Sequence, residues 1–355
     1  MINVLMLGGK RCGKTTTLSA MFSSLGVALA GTDLAITYDS EHTANELNIA
    51  KRVIIEKMKE FESPLTSCEV DENPSGGKRE YSFRLTRGSA ANKVQGIPFT
   101  IHDIPGEWLV NEPEKVKALI QVSQIIIIAI DTPYLFAKMT DKGYGKYHEE
   151  ANRPAEITNF FKNTLSADDL LNRMILFVPI KCERYYHLDR DPHLKAFNRH
   201  YMSEVTQAVI NGYKDLIYYL RSATGLVNRC TIAVTPILSA GGIDFISFRK
   251  NEEGKMVSYY QAPEGLLPHE RGYSPKFCEQ PMLYMLAYLL VLAITNQNGQ
   301  GNQSGFFAYA KNITQGMNIQ QMQAALHTIR TKMKRNNGIA VQEDGYIMIQ
   351  NPMNL

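Results

Sequence analysis

The sequence predicts a doubly wound α/β fold, a mostly parallel sheet with helices on both faces, followed by a C-terminal appendage of helices and loops. Three observations predict it. Strand-like and helix-like segments alternate up to about residue 246. Two candidate strands, VSQIIIIAI at 122–130 and MILFVPI at 174–180, are apolar almost throughout, which is typical of parallel strands buried on both faces. Beyond Ile246 the alternation stops, and 249–280 is rich in Gly, Pro and aromatic residues.

The elements follow from apolar spacing, with a period of two in strands and of three to four in helices. In the first half we predict strands at 2–7, 33–38, 81–85, 97–104 and 122–130. Helices are predicted at 15–25, 43–61 and 113–120, and loops at 62–78 and 141–154. In the second half we predict helices at 157–165, 201–220, 282–294 and 319–333, and strands at 174–180, 231–238 and 346–349. The domains predicted are 1–248 and an appendage, 249–355, that packs on or is linked to the first.

Composition limits the classes of partner and compartment. A net charge of +3 is too small to favour nucleic-acid binding. The longest apolar run, 282–294, is too short to span a bilayer, so membrane contact is not expected. Five scattered cysteines without a C-x-x-C pair indicate free thiols in a reducing compartment. The chain begins directly with a strand and has no signal-peptide pattern, so a cytoplasmic location is expected.

The segment GGKRCGKT matches the phosphate-loop pattern G-x-x-x-x-G-K-[ST], between a predicted strand and a predicted helix as that pattern requires. Backbone N–H groups of such a loop point at anionic oxygens, and the helix dipole adds to the attraction. Lys14 is expected to reach the β- and γ-phosphates, and the Thr15 hydroxyl to contact Mg²⁺. The alternative is a glycine turn with a solvated lysine. The residues predicted to bind nucleotide here are Gly8, Gly9, Lys10, Arg11, Cys12, Gly13, Lys14, Thr15 and Thr16.

A second motif, Asp103-x-x-Gly106, closes the strand at 97–104. We expect Asp103 to hold Mg²⁺ through water and the Gly106 amide to face the γ-phosphate. Glycine suits a backbone that must approach a phosphate closely and move when it leaves. A plain strand-to-turn segment is the alternative.

Two further segments follow later strands in the order used by guanine-nucleotide switches. In IKCE, the Lys181 stem is expected to cover the base, and Glu183 to accept hydrogen bonds from the guanine N1–H and 2-amino groups. In LSA, a backbone N–H of Ser239 or Ala240 is expected to reach the guanine O6. A solvated Lys/Glu loop is the alternative for the first segment.

The ordered set GGKRCGKT, DIPGE, IKCE and LSA resembles the translation-factor-related (TRAFAC) class of P-loop GTPases over about residues 1–245. The DIPGEW run, the long helix before the second main strand and the aromatic loop with its helix resemble bacterial double-GTPase-type proteins. Ile180 and Glu183 depart from the Asn or Thr and the Asp that are usual there. The resemblance implies a P-loop NTPase fold with a Ras-like core.

The resemblance also implies roles at the phosphates. Mg²⁺ would be held by Thr15, Asp103 and a switch-I threonine, for which Thr66 is the first candidate and Thr32 and Thr37 are alternatives. Glu107 stands where Ras-like proteins have a water-orienting glutamine. The expected catalytic residues are therefore Lys14, Glu107 and Thr66.

Three functional hypotheses follow. The first is a guanine-nucleotide switch that binds GTP and GDP, hydrolyses GTP slowly with Mg²⁺, and signals to a partner protein at its switch segments, with a homodimer left open. The second is a P-loop ATPase or nucleotide-gated scaffold without guanine specificity. The third is a small-molecule kinase, for which Arg184–Arg199 is the nearest candidate for an arginine-rich lid.

Overall fold

The computed structural model describes residues 2–61, 67–69, 77–87, 96–137, 148–166, 168–170, 173–191, 193–194, 199–222, 230–250, 252, 256–263, 270–297, 318–334, 341 and 343–355. The strands are β1 (Ile2–Gly8), β2 (Leu34–Tyr38), β3 (Ser67–Glu69), β4 (Arg79–Arg87), β5 (Gly96–Asp103), β6 (Ile125–Asp131), β7 (Met174–Ile180), β8 (Thr231–Val234), β9 (Asp244–Lys250), β10 (Met256–Gln261) and β11 (Ile347–Gln350).

The helices are α1 (Lys14–Leu29), α2 (Glu41–Met58), α3 (Trp108–Asn111), α4 (Pro113–Val122), α5 (Thr132–Phe136), α6 (Pro154–Thr164), α7 (Glu183–Arg190), α8 (Tyr201–Gly212), α9 (Lys214–Ser222), α10 (Gln280–Gln297) and α11 (Ile319–Lys332). A 3₁₀ turn over Lys59–Phe61 extends α2, and a π-helical turn over His148–Asn152 precedes α6. Within the described residues, no helix is both long and apolar enough to cross a membrane.

The described strands form one large sheet with the order β11-β8-β7-β6-β1-β5-β4-β2. Its centre is parallel, since β1 pairs with β5 and β6, β6 with β7, and β7 with β8 in the same direction. The strands β4, β2 and β11 add antiparallel pairs toward its two edges. The predicted α/β class with a mostly parallel sheet is confirmed.

Helices cover both faces of this sheet, which explains why its central strands are continuously apolar. Alternate residues of β6 enter different cores: Ile127 packs with α1, α2, α10 and α11, whereas Ile128 packs with α3, α4, α6, α8 and α9. Each face of the sheet therefore has its own hydrophobic layer, and the loops at the strand ends lie between them.

The C-terminal residues share these layers. β11 pairs antiparallel with β8 at the edge of the large sheet, as a continuation of it. The apolar helix α10 and the helix α11 pack on the same core as α1, and the Lys332 ammonium donates to the Ala28 carbonyl at the end of α1. A second sheet, with the order β3-β10-β9, lies outside the large one in the described part of the chain.

Several predicted boundaries are wrong, and each has a physical reason. The predicted strand at 122–130 begins only at Ile125, because α4 continues to Val122. The predicted strand at 231–238 ends at Val234; the Thr235 and Ile237 amides still donate to the Phe177 and Pro179 carbonyls, but Pro179 of β7 has no N–H to donate in return. The predicted helix at 201–220 breaks near Gly212, where a Cβ would come within 2.6 Å of the His148 ring.

Other elements were not predicted. The helix α7 begins directly after IKC, and its polar sequence has no apolar stripe to reveal it. Strands β9 and β10 fall at and beyond the point where the alternation stops, and β3 falls in the predicted loop at 62–78. These strands pair with each other rather than with the large sheet, so the α/β pattern of the sequence does not report them.

Candidate functional site

The loop after β1 lies where the chain switches sides of the sheet. From β1 the chain leads, through β2 and β4, to β5 on one side of β1, and then crosses to β6 on the other side. In open α/β sheets, ligands bind at this kind of switch point, outside the carboxyl ends of the strands. Asp103 ends β5 and Asp131 ends β6, so both carboxylates lie at the same edge as Gly8.

Lys14 begins α1, and its ammonium folds back over the loop. Nζ donates to the Gly8 carbonyl at 3.2 Å and to the Gly9 carbonyl at 3.1 Å. The side chain is buried, and within the described part of the chain it makes no ion pair. A buried cation with only neutral acceptors is costly, so an anion in this loop would satisfy it.

The first turn of α1 is joined directly to the end of β5. Thr15 Oγ1 donates to Asp103 Oδ2 at 2.7 Å, although the residues are far apart in sequence. Asp103 is buried, and burial raises its carboxyl pKa, an effect that the Lys14 charge and the Thr15 hydrogen bond only partly offset. The two residues expected to organise a metal thus lie side by side. Thr16 follows, half-buried, in the same turn.

Gly106 packs directly against the phosphate-loop backbone. A Cβ on Gly106 would lie 2.1 Å from the Lys10 nitrogen and 2.3 Å from the Gly9 carbonyl carbon. Gly9 has no space for a side chain either, because its Cβ would meet the Ala151 carbonyl oxygen at 1.7 Å. The segment after Asp103 and the π-helical turn therefore enclose the loop from two directions.

An ion pair crosses from the phosphate loop to the residue after Gly106. Lys10 Nζ lies 3.0 Å from Glu107 Oε1, with the carboxylate side chain the more buried of the two. The next residue, Trp108, begins α3, and the Lys115 ammonium lies 5.1 Å from its ring centroid. The electrostatic neighbour of Glu107 is thus a lysine of the loop itself.

Strained backbone gathers around this loop. Arg11, Lys181 and Arg153 are among the described non-glycine residues with positive φ, at 59°, 60° and 52°. Such conformations cost free energy in non-glycine residues and are concentrated at functional sites. Arg11 lies in the loop, Arg153 follows the turn that contacts Gly9, and Lys181 begins the IKCE turn.

Lys181 reaches the loop and pairs with a buried carboxylate. Its Nζ donates to Asp131 Oδ2 at 2.5 Å, and its Cε would lie 3.7 Å from a Cβ on Gly13. Burial lowers the Lys181 pKa, but the charge and hydrogen bond of Asp131, together with Tyr260 and Cys12, outweigh it, so the pKa lies above its ordinary value. The lysine is therefore protonated. Burial also raises the pKa of the neighbouring Cys12 thiol, which disfavours a reactive thiolate there.

Glu183 is buried and is bonded to the loop that follows β8. Its Oε1 accepts the backbone N–H groups of Ala240 at 2.8 Å and of Gly241 at 3.2 Å. Burial raises its pKa, while these amides lower it in part. The predicted base-reading carboxylate and the predicted base-reading amide are thus brought together and bond each other. Ser239 is also buried, and its Oγ has no hydrogen-bond partner within the described residues.

Of the switch-I candidates, the two that the structure describes, Thr32 and Thr37, are not brought to the loop. Thr66 lies outside the described residues. Thr37 lies on β2 and pairs with Arg84 of β4, which in turn pairs with Pro98 of β5. Pro98 is near the amino end of β5, whereas Asp103 is at the carboxyl end. Thr32 Oγ1 donates to the Leu29 carbonyl at 2.7 Å after the end of α1.

The arginines proposed for a kinase lid are engaged elsewhere. Arg184 donates to the Phe245 carbonyl, Arg190 pairs with Glu270 at 2.7 Å, and Arg199 pairs with Glu204 at 2.7 Å. The contacts of Arg184 and Arg190 join the 184–199 segment to residues later in the chain.

Sequence reasoning missed three residues of this region. Asp131 directly follows the predicted strand at 122–130, and a carboxylate that follows a buried parallel strand is itself a signal. Arg79 lies directly opposite Asp103 in the β4–β5 pair. Tyr260, on β10, contributes a hydroxyl beside Lys181, and nothing in its local sequence indicates this.

The residues fit a metal ion that arrives with phosphate oxygens. Mg²⁺ prefers oxygen ligands and is usually held by one or two protein groups together with waters and substrate phosphates. Thr15 and Asp103 supply two adjacent oxygens. Among the described residues, no group of three or more His, Cys, Asp or Glu is arranged to hold a metal, so a metal centre made of protein ligands alone is not supported there.

Comparison of the chain with protein-family models gives no match, and comparison with the curated proteins gives none either.

Proposed function

We propose that this chain is a P-loop GTPase of Ras-like core that binds Mg²⁺ with GTP or GDP, hydrolyses GTP slowly and acts as a switch toward a partner protein. The observation that carries the proposal is the 2.7 Å hydrogen bond between Thr15 and Asp103. It unites two motifs predicted separately, at the switch point of a parallel sheet. The buried Lys14 ammonium beside it supports an anionic ligand.

In this proposal each group at the phosphate end has one role. The loop amides and Lys14 bind the β- and γ-phosphates, and the α1 dipole adds to the attraction. Thr15 and Asp103 hold the metal, which neutralises charge on the phosphate oxygens when bound. Gly106, packed on Lys10 and Gly9, is placed to respond to a γ-phosphate through its backbone.

Slow turnover follows from the surroundings of Glu107. A carboxylate accepts a hydrogen bond from water but donates none to the transferring phosphoryl group. Its Oε1 is also held by Lys10, so the orientation of the carboxylate is set by that ion pair. A partner protein that redirects Lys10 or supplies another positive charge would then accelerate hydrolysis.

A second function, a nucleotide-dependent ATPase or scaffold without guanine selectivity, is favoured by one observation. Glu183 Oε1 accepts two backbone amides of the loop after β8. To read guanine, this carboxylate must share Oε1 with those amides or bond the base through Oε2 alone, which reduces the selectivity it provides. Competition between GTP and ATP for the purified protein separates the two functions.

Lys14→Ala tests the phosphate site. We expect it to weaken Mg·GTP binding by at least about tenfold, equivalent to 1.4 kcal/mol, because the motif's buried ammonium is lost. Calorimetry measures the affinity, and Trp108, the one tryptophan of the chain, reports binding beside Glu107 by its fluorescence. Lys117→Ala is the matched control, since Lys117 lies on α4 and pairs with Glu114. Unchanged affinity in Lys14→Ala would overturn the phosphate-site assignment.

A further inference from the structure

Tyr260 is buried among the residues predicted to read the base. The side chain is 6% exposed and belongs to the same apolar cluster as Ala240 and Ile243. Its hydroxyl lies near the Lys181 ammonium, and its pKa is raised by burial to about 12, so it remains protonated. A tyrosine from a strand far along the chain thus lies between the IKCE turn and the LSA loop.

The pairing of β10 with β9 is irregular at Tyr260. The pairing register of β9 and β10 shifts between Tyr259 and Tyr260. A bulge of this kind adds a residue to one strand and redirects the side chains beside it. The neighbouring Tyr259 lies instead under the Arg249 guanidinium, 4.7 Å from its ring centroid.

The hairpin that carries Tyr260 is anchored to the helix after Lys181. Asp244, the first residue of β9, lies 2.6 Å from His187 Nδ1, and the Phe245 carbonyl accepts from Arg184 at 3.2 Å. These contacts hold β9 against α7, and β9 in turn pairs along β10. Tyr260 is therefore positioned by a contiguous set of bonds and not by one flexible side chain.

The base-reading groups are already bonded within the protein. Lys181 is bonded to Asp131, and Glu183 is bonded to Ala240 and to the amide that follows it. A base that bonds Glu183 beside Ala240 competes with these amides and meets the Tyr260 ring, which packs in the same cluster as Ala240. The phosphate-binding groups are different, because Lys14 bonds only two carbonyls and the cluster around Tyr260 contains none of residues 8–15.

We propose that Tyr260 is an internal plug of the base site, which a nucleobase must displace, and that it thereby sets the affinity of this chain for nucleotides. This inference rests on the proposed function. Phosphate binding does not require the plug to move, whereas base binding does. Apparent affinity is reduced by the fraction of molecules in which the binding-competent state is populated. Removing the plug should therefore strengthen binding of a nucleotide and leave binding of a phosphate chain alone unchanged.

The test compares wild type, Tyr260→Ala and Tyr260→Phe, with Tyr259→Ala as the control on the same strand. Affinities for Mg·GTP and for Mg·tripolyphosphate, which has no base, are measured by calorimetry. We expect Tyr260→Ala to bind Mg·GTP about tenfold more tightly if the plug is open in about a tenth of wild-type molecules. Tyr260→Phe should gain less, because it loses only the hydroxyl near Lys181 and keeps the ring. Tripolyphosphate affinity should be equal in all four proteins.

The outcomes are distinct. Weaker Mg·GTP binding in Tyr260→Ala would overturn the plug and show that the ring supports the base. Unchanged Mg·GTP binding would also overturn it. If Tyr260→Ala does not fold, Tyr260→Phe decides, since a gain supports the plug and no gain overturns it. If wild type binds neither ligand, the proposed function is wrong, and so is the plug. If wild type binds tripolyphosphate but no Tyr260 variant binds Mg·GTP more tightly than wild type, only the plug is wrong.

Discussion

Gly106→Ala tests how tightly the segment after Asp103 packs on the phosphate loop. The added Cβ would lie 2.1 Å from the Lys10 nitrogen, 2.3 Å from the Gly9 carbonyl carbon and 2.6 Å from the Gly9 oxygen. All three are backbone atoms, so no side-chain rotation relieves the overlap. The two segments must move apart, or one of them must refold locally.

The size of the effect follows from these distances. Ordinary contact between heavy atoms is at about 3.5–4.0 Å, so the segments must separate by roughly 1 Å or more. Overpacking of this kind costs about 1–3 kcal/mol of folding stability. Because the displaced atoms belong to the loop that would bind the phosphates, we also expect Mg·GTP affinity to fall by at least about tenfold.

The matched control is Gly26→Ala. Gly26 lies inside α1, and a Cβ there would have no atom within 4 Å. In a helix interior, alanine is favoured over glycine by roughly 0.5–1 kcal/mol, so this variant should be more stable than wild type. The urea midpoint of unfolding should fall in Gly106→Ala and rise in Gly26→Ala. Calorimetry measures the nucleotide affinity of both variants. A Gly106→Ala protein with the midpoint and Mg·GTP affinity of wild type would refute the close packing.

Two further predictions concern charged residues. Glu107→Gln removes the charge paired with Lys10 and supplies an N–H donor, so we expect faster single-turnover GTP hydrolysis at unchanged affinity; an equal rate would mean that another group orients the water. Glu270 has its pKa lowered from 4.5 to about 2, chiefly by a hydrogen bond from Lys276, so its contribution to stability is complete above about pH 4.5 and is lost as the pH falls toward 2. Glu270→Gln should therefore lower the urea midpoint clearly at pH 7 and less at pH 3; an equal loss at both pH values would contradict this assignment.

The centre of the fold was predictable because its signals are local. The runs at 122–130 and 174–180 are apolar at both alternate sets of positions, as burial on two faces requires. The strand at 346–349 was also predicted, and it forms β11 almost unchanged. The small sheet was not predictable, because its pairing joins residues 67–69 to a hairpin nearly 200 residues later.

The loop at residues 8–15 and the region around Lys181 and Glu183 also differ in how local their sequence signals are. The residues from Gly8 to Thr15 are contiguous in sequence, so the loop could be identified as one motif before the structure was known. The contacts of Lys181 and Glu183 link residues 50 to 80 positions apart, such as Asp131 and Tyr260. Sequence reasoning gave the residue types expected at a base site but had no means to find that these residues are bonded to one another.

This difference has a consequence for ligand selectivity. At the phosphate end, the Lys14 ammonium is bonded to two neutral carbonyls, so an arriving anion gains a strong interaction and breaks only weak ones. At the base end, the Lys181 ammonium and the Glu183 carboxylate are already bonded to Asp131 and to backbone amides, so a base gains less from them than from groups without such bonds. Most of the net binding free energy should therefore come from the phosphate chain. We infer that the proposed nucleotide site distinguishes triphosphates from monophosphates by a larger factor than it distinguishes one base from another.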